Sequence, residues 1–306
     1  MTDKRYVVIA GPTGSGKSAL ALALAEALGG EIIGCDSVQV YRGFDVGSAK
    51  PSAAERAEVP HHLIDVCDWR DDYDAARYAR DAAAAIAGVR ERGRLPLVVG
   101  GTGLYLRALL GQGWHTGLPS DADLRAELAE LPTDELRARL RRLDPQRATE
   151  LHPNDRVRLA RSLELVTLLG MPLRAAGLDA SAPADPAAFV IVLEPPRAEL
   201  HARIAARTDV MLASGLLDEA RGLLAAGVDP DCKPMQSIGY KQAAAFLADA
   251  LPEAELRDAV VVATRQYAKR QCTWFRRTTT DLRLAAAGEI ERAGAAIRAA
   301  IGAPPL

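Results

Sequence analysis

The sequence predicts an α/β fold in which a parallel β-sheet is flanked by helices. An apolar strand at residues 6–10 runs into a glycine-rich turn, and a helix-forming run at residues 19–28 leaves it. Apolar strands go on alternating with helices through the first third of the chain, which is typical of a parallel sheet covered on both faces. Long helical stretches then dominate, which predicts a helical insertion domain and a helical C-terminal part.

The glycine-rich turn reads Gly-Pro-Thr-Gly-Ser-Gly-Lys-Ser over residues 11–18. A strand, G-x-x-x-x-G-K-S and a helix in this order form a P-loop, so we expect a P-loop NTPase-like sheet. The glycines let backbone N–H groups point into one concavity, and the helix adds its positive dipole end. Lys17 would bind phosphate oxygens, and the Ser18 hydroxyl could hold Mg²⁺. The turn therefore predicts a di- or triphosphate ligand, the alternative being a glycine-rich turn without a ligand.

Two further polar side chains follow apolar strands of the predicted sheet. Asp36 comes directly after the strand at residues 31–35, and Thr102 lies just beyond the strand at residues 95–99. Ligands of parallel sheets bind at the carboxyl ends of the strands. We therefore expect Asp36 and Thr102 to join the P-loop in one active site built from three loops.

The residue types alone do not decide the role of Asp36. Its carboxylate could bind Mg²⁺ or act as a general base on an acceptor, or it could merely cap the turn after its strand. Gln39 could read the edge of a nucleobase, and Tyr41 could stack on the base. These residue types indicate a transferase with a phosphate-ester substrate and a nucleoside-like acceptor.

The chain is expected to fold as a core interrupted by one insertion. A third strand is predicted at residues 62–66, but residues 117–186 contain no strand pattern and read as helices. An apolar strand returns after this segment. We therefore predict a catalytic core made of residues 1–116 and 187–306, with residues 117–186 as a helical insertion domain.

Composition narrows the class of protein. With 49% hydrophobic and 25% charged residues among 306, the chain is that of an ordinary globular protein. Its four cysteines are scattered without a C-x-x-C pair, which argues against a zinc site and favours reduced thiols in the cytoplasm. We see no charge-free apolar run of about 20 residues, so no membrane partner is expected.

Charge is unevenly distributed along the chain. The formal net charge is only −2, but residues 137–161 hold eight arginines against three acids. Residues 264–277 hold five basic residues and no acid. Two basic stripes on a near-neutral chain suggest a polyanionic partner, the alternative being solvated helix faces.

Eight motifs, in order, resemble those of the bacterial tRNA dimethylallyltransferases, or IPP transferase family, and the resemblance runs nearly end to end. They are GPTGSGKS at 11–18, DSVQVYR at 36–42, GSAKP at 47–51, VPHHLID at 59–65, VVGGTGLY at 98–105, HPNDRVRLARSLE at 152–164, SIGYKQ at 237–242 and ATRQYAKRQCTWFRR at 263–277.

The resemblance implies transfer of a dimethylallyl group from dimethylallyl diphosphate to N6 of the adenosine 3′-adjacent to the anticodon, with Mg²⁺ and without ATP hydrolysis. The diphosphate-binding residues would be Gly11, Pro12, Thr13, Gly14, Ser15, Gly16, Lys17 and Ser18, of which Ser18 would also bind the metal. Asp36 matches the general base, Thr102 a contact to the target nucleotide, and Arg207 a diphosphate ligand. The family often has Arg-Phe where this chain has Arg207-Thr208.

The same resemblance implies that the insertion domain at residues 117–186 and parts of the core contact the tRNA anticodon stem-loop. The contacting residues are Asp36, Ser37, Val38, Gln39, Thr102, Arg125, Val157, Arg158, Leu159, Ala160, Arg161, Ser237, Ile238, Gly239, Tyr240, Lys241 and Gln242. We expect the protein to be a monomer. Three alternatives remain: an adenylate dimethylallyltransferase acting on a free nucleotide, a P-loop small-molecule kinase, and a catalytically idle RNA-binding protein.

Overall fold

The computed structural model describes residues 5–111, 118–178 and 185–301. Its strands are β1 (Tyr6–Ala10), β2 (Gly30–Cys35), β3 (His61–His62), β4 (Leu95–Gly100), β5 (Ala188–Leu193) and β6 (Leu282–Leu284). They form one parallel sheet in the order β3-β2-β4-β1-β5-β6. The predicted α/β fold with a parallel sheet is confirmed.

Helices account for most of the remaining ordered backbone. They are α1 (Lys17–Leu28), α2 (Ala53–Glu58), α3 (Ala75–Glu91), α4 (Gly103–Leu109), α5 (Ala122–Glu130), α6 (Thr133–Leu143), α7 (Pro145–Glu150), α8 (Arg156–Leu169), α9 (Arg197–Ala213), α10 (Leu216–Ala225), α11 (Tyr240–Leu247), α12 (Glu253–Phe275) and α13 (Ile290–Ile301). No helix among the described residues is both long and apolar enough to cross a lipid bilayer.

The central strands are buried along their whole length, as the apolar runs in the sequence require. Val7 and Ile9 of β1 pack with Leu20 and Leu24 of α1 and with Ile297 of α13. Helix α3 contacts β2 and β4. This packing fixes the sheet, whose carboxyl edge carries the polar residues discussed below.

The region before α3 differs from its prediction. Strand β3 ends at His62 instead of covering residues 62–66, because Leu63 and Asp65 turn the backbone into the left-handed region with φ of 60° and 58°. Helix α2 was not predicted, since its six residues are too few for an apolar repeat, and a capping box at Ser52 starts it.

The chain divides into two compact units. The core unit comprises Met1–Leu110 and Ala184–Leu306, and the helical unit comprises Gly111–Pro183. The sequence placed the first limit of the insertion at residues 116 and 117, which lie outside the described residues. The helical unit contains α5 to α8 and has its own apolar cluster, which includes Leu128, Leu136, Leu140, Leu159 and Leu163.

Candidate active site

The P-loop connects β1 to α1 at the carboxyl edge of the sheet. Gly14 and Gly16 have φ of 79° and 89°, which glycine adopts without strain. At Gly11, a Cβ atom would lie 2.9 Å from the carbonyl oxygen of Leu193. No side chain of the described residues caps the first turn of α1. Its first N–H groups can therefore bind an anion, which the positive end of the helix dipole also attracts.

Two half-buried cations accompany this loop. The pKa of Lys17 is lowered to about 8, first by burial and next by the charge of Arg207, while Asp36 opposes the shift. Burial also lowers the pKa of Arg207, and Asp36 again opposes it. Within the described part of the chain, neither cation forms an ion pair with a carboxylate; Lys17 Nζ donates to Pro12 O at 3.4 Å. Cations held close together without a counter-ion make a site for an anion.

Asp36 and Thr102 lie in neighbouring turns that are hydrogen-bonded to each other. The N–H of Ser37 donates to Thr102 Oγ1 at 3.1 Å. Asp36 Oδ1 accepts the N–H groups of Val38 and Gln39 at 2.8 and 3.3 Å, so one oxygen does cap the turn. The other oxygen, Oδ2, has no hydrogen-bond partner among the described residues. The carboxylate is thus oriented through one oxygen and can accept a proton at the other.

A cavity of about 300 Å³ opens in the core unit beside these turns. Its polar lining includes Thr13, Asp36, Ser37 and Arg207, and its apolar lining includes Ile204, Met211, Ile238 and Val260. Thr208 also lines it and donates its hydroxyl proton to Ile204 O at 3.0 Å. An anion, an apolar group and a proton acceptor can therefore meet in one cavity.

Neither Gln39 nor Tyr41 is placed as the residue types alone suggested. Gln39 Nε2 donates to the carbonyl oxygens of Ser48 and Ala49, both at 3.1 Å. Tyr41 is 1% exposed and packs edge-on against Phe44, with ring centroids 6.4 Å apart. The expectation that Tyr41 stacks on a base is wrong, because its ring belongs to the core.

The motif at residues 237–242 is only partly accessible. Ser237 and Ile238 line the cavity, and Gly239 has a φ of 98° at the start of α11. Gln242 Oε1 accepts the N–H of Gly239 at 2.9 Å, which caps the helix. Tyr240 is fully buried, so its side chain serves packing. Lys241 is exposed.

Sequence reasoning missed Glu219, which holds the segment at residues 45–48 against α10. Its carboxylate accepts the N–H groups of Asp45, Val46 and Gly47 at 3.0, 2.8 and 3.2 Å, and the Tyr240 hydroxyl donates to it. The next carbonyl, that of Ser48, accepts from Gln39 and from Arg207 at 3.5 Å. Glu219 thus positions a wall of the cavity without entering it. Its place on an amphipathic helix gave no signal.

In the helical unit, the two arginines predicted to meet tRNA at positions 125 and 161 have internal partners. Arg125 Nε donates to Glu164 Oε1 at 2.8 Å, and Arg161 donates to Glu164 Oε2 at 2.5 Å. Burial would raise the pKa of Glu164, but hydrogen bonds from Arg161 and the Asp121 N–H outweigh it and lower that pKa. Both arginines therefore balance a buried charge.

The other residues of the predicted tRNA-binding segment at 157–161 differ in their exposure to solvent. Val157 is 79% exposed, and Arg158 is exposed and pairs with Asp155 at 2.7 Å. Ala160 is half-buried, and Leu159 lies in the apolar cluster of the helical unit. The surface that this segment offers to a partner therefore consists of Val157 and Arg158, with the outer part of Arg161.

Sequence comparisons find one family over nearly the whole chain. The profile described as IPP transferase matches residues 39–278, and that described as Isopentenyl transferase matches residues 4–65. A protein named tRNA dimethylallyltransferase 1 from Citrifermentans bemidjiense is 47% identical over 280 residues, which cover 90% of this chain and 91% of that protein. A tRNA dimethylallyltransferase from Anaeromyxobacter sp. (strain Fw109-5) is 52% identical over 277 residues, covering 89% and 92%.

Solved structures give the same result. The full-length tRNA isopentenylpyrophosphate transferase from Bacillus halodurans is 36% identical, with a TM-score of 0.72 over 98% of this chain and 97% of that one. A eukaryotic dimethylallyltransferase described as acting on tRNA is 30% identical, with a TM-score of 0.75 over 89% and 70%. The likeness confirms the predicted P-loop NTPase-like fold class and the resemblance on which the site residues were chosen.

The role given to Glu219 predicts an effect on stability. Replacing Glu219 by Gln removes the charge that strengthens its hydrogen bonds to three backbone N–H groups, and it should lower the free energy of unfolding by about 1–3 kcal/mol. Amide hydrogen exchange at residues 45–47 should accelerate more than exchange in β1. The neighbouring Asp218→Asn, at an 80% exposed side chain, is the matched control and should change neither quantity. Equal effects of the two variants would contradict the role.

Proposed function

The chain belongs to the IPP transferase family, and on that premise we propose that it transfers a dimethylallyl group from dimethylallyl diphosphate to N6 of the adenosine 3′-adjacent to the anticodon in tRNA, releasing diphosphate. One observation carries the proposal. Asp36 and Arg207 line the same cavity as an apolar wall, and Lys17 lies close enough to both to have its pKa shifted by them. A proton acceptor, an anion site and an apolar wall are what this reaction needs.

The donor would bind with its diphosphate on the P-loop. Backbone N–H groups of residues 11–18, with Lys17 and Arg207, would balance the charge that grows on the leaving diphosphate. Ser18, exposed at the second position of α1, offers the oxygen ligand that Mg²⁺ prefers. Together with diphosphate oxygens it would hold Mg²⁺, which supplies further charge neutralisation when bound.

The transfer is a substitution at C1 of the dimethylallyl group. The bond between C1 and the diphosphate oxygen breaks, and its electron pair leaves with diphosphate. The N6 lone pair of adenine forms the new bond to C1, and N6 then gives up a proton. Asp36 Oδ2 would accept this proton, because Oδ1 already accepts the N–H groups of Val38 and Gln39.

The acceptor base would enter the cavity beside Ser37, Val38 and Thr102. A base stacked in the anticodon loop hides N6, so the enzyme has to flip the nucleotide out. Gln39 would act on the acceptor indirectly, by fixing the shape of its loop, because its amide Nε2 already donates to the carbonyl oxygens of Ser48 and Ala49. Thr102 would contact the nucleotide from the neighbouring turn, where its hydroxyl oxygen accepts the Ser37 N–H.

Contacts to the rest of the tRNA would come from basic residues in each unit. In the core unit these are Lys241 and the basic stretch at residues 264–277 of α12 and its end. In the helical unit we assign phosphate contacts first to Arg158, whose side chain is 70% exposed although it pairs with Asp155. Arg125 and Arg161 would contribute only the charge that Glu164 leaves unbalanced. These surfaces support tRNA as the acceptor over a free adenylate, which would not need them.

Transfer of radiolabelled dimethylallyl diphosphate tests the proposal. With Mg²⁺, the protein should label the anticodon loop of unmodified tRNA, leave AMP unlabelled and need no ATP. Asp36→Asn keeps the shape of the side chain but loses the base, so turnover should fall roughly 100-fold or more with tRNA affinity nearly unchanged. Asp68→Asn, at a surface acid paired with Arg70, should behave like wild type. Labelled AMP, or a requirement for ATP, would refute the proposal.

Binding of the donor should depend on the charge of Lys17. Its pKa is about 8 in the free protein, and a bound diphosphate favours the ammonium, so binding takes up a proton above that pH. The dissociation constant for dimethylallyl diphosphate should therefore rise as pH increases beyond 8, by up to about tenfold per pH unit. The ligand adds no slope there, because a phosphate with a pKa of about 6 is already ionised.

Lys17→Arg provides the control for this pH dependence, because arginine stays protonated throughout the range. Its dissociation constant should stay flat from about pH 7 to about pH 9.5, even if binding is weaker overall. The same slope in both proteins, measured by calorimetry, would remove Lys17 as the titrating group.

A further inference from the structure

Gln271 of α12 makes two hydrogen bonds that neither the motif nor the proposed chemistry explains. Its Oε1 accepts the N–H of Thr13 in the P-loop at 2.9 Å, and its Nε2 donates to Gly101 O in the turn after β4 at 2.8 Å. The side chain is 7% exposed. A buried amide is costly unless both of its ends are satisfied, and here both ends bind loops of the site.

The two loops joined by Gln271 serve different substrates under the proposed function. Thr13 belongs to the diphosphate-binding loop, whereas Gly101 precedes Thr102, the expected contact to the target nucleotide. The approach at Gly101 leaves no room for a side chain, because a Cβ there would lie 2.4 Å from Gln271 Nε2 and 3.0 Å from Gly11 O. The glycine is therefore matched to the glutamine that packs on it.

The same helix also lines the cavity. Tyr267 lies one turn before Gln271 on the same face of α12, and Arg270 is the preceding residue; both line the cavity. A single rigid element thus contacts the cavity and ties two of its loops together.

We propose that Gln271 is a positioning residue that sets the distance between the diphosphate-binding loop and the Thr102 turn, and so aligns C1 of the donor with N6 of the acceptor. This inference rests on the proposed function. The carbonyl end of Gln271 accepts an N–H and its amide end donates to a C=O, so no apolar or ionised side chain of equal length satisfies both loops. The rate of transfer is sensitive to the alignment of the reacting atoms, because a misplacement of about 1 Å can lower it about 100-fold.

The test compares Gln271→Met, which keeps the length but loses both hydrogen bonds, with Asp258→Asn. Asp258 lies on the same helix outside the basic stretch at residues 264–277, and its side chain is 77% exposed and pairs with the neighbouring Arg257. In single turnover with both substrates saturating, Gln271→Met should transfer about 10- to 100-fold more slowly than wild type. Its dissociation constants for tRNA and for dimethylallyl diphosphate should each stay within about threefold of wild type. Asp258→Asn should match wild type.

A second variant provides the test if Gln271→Met does not fold. Gln271→Glu keeps an acceptor for the Thr13 N–H but, when ionised, faces Gly101 O with a second oxygen. A folded variant should therefore show the same loss of rate at a pH high enough to ionise the new carboxyl group. An unchanged single-turnover rate in either folded variant would overturn the inference. So would a parallel loss of rate, of both affinities and of thermal stability, which would make Gln271 a purely structural residue.

Amide hydrogen exchange at Thr13 separates this inference from the proposed function, because it needs no transfer. Gln271→Met should raise exchange at Thr13 without changing it in β1, and a protected Thr13 N–H would overturn the inference. Absence of label in tRNA with the wild-type protein would instead refute the proposed function.

Discussion

Three neighbouring strands end in register, and the candidate site depends on that alignment. Ala10 of β1 and Cys35 of β2 both pair with Gly100 of β4, which lies between them in the sheet. Adjacent strands are about 4.8 Å apart, so the P-loop, the Asp36 turn and the Thr102 turn leave the sheet within about 10 Å of each other. Gly100 permits the close approach, because a Cβ there would lie 2.0 Å from Cys35 O. The sheet thus places a phosphate cradle and a carboxylate side by side before any ligand is bound.

Hydrogen bonds between the turns convert this proximity into a fixed geometry. Ser37 N–H binds Thr102 Oγ1 on one side, and Gln271 joins the P-loop to Gly101 on the other. Neutral groups make these links, so they leave the charge of Lys17 and Arg207 uncompensated. Burial lowers the pKa of both cations, and the charge of Arg207 lowers that of Lys17 further; a bound diphosphate would stabilise both charges. A preorganised site of this kind stabilises a leaving anion without having to rearrange during the reaction.

The sequence was sufficient to predict those features that a short stretch of residues determines. The P-loop, the apolar strands and the helical segments each have a signature within a short stretch. Asp36 was expected beside the P-loop because polar residues after parallel strands share one edge. Long-range pairing could not be predicted. Glu219 and Gln271 look like ordinary helix residues until residues more than 150 positions away are brought to them. The sequence did not show that Arg125 and Arg161 pair with Glu164, because nothing local marks Glu164 as buried. Tyr41 looked available for stacking, but its ring was needed in the core.

Under the proposed function, donor and acceptor meet at this one edge of the sheet. The most direct test is a structure of the protein with the anticodon stem-loop of tRNA and a non-transferable thio analogue of dimethylallyl diphosphate. We predict that the diphosphate lies on the P-loop N–H groups, that the adenine is flipped into the cavity, and that its N6 faces Asp36 Oδ2 at hydrogen-bond distance. A diphosphate bound away from the P-loop, or an adenine N6 out of reach of Asp36, would contradict the account.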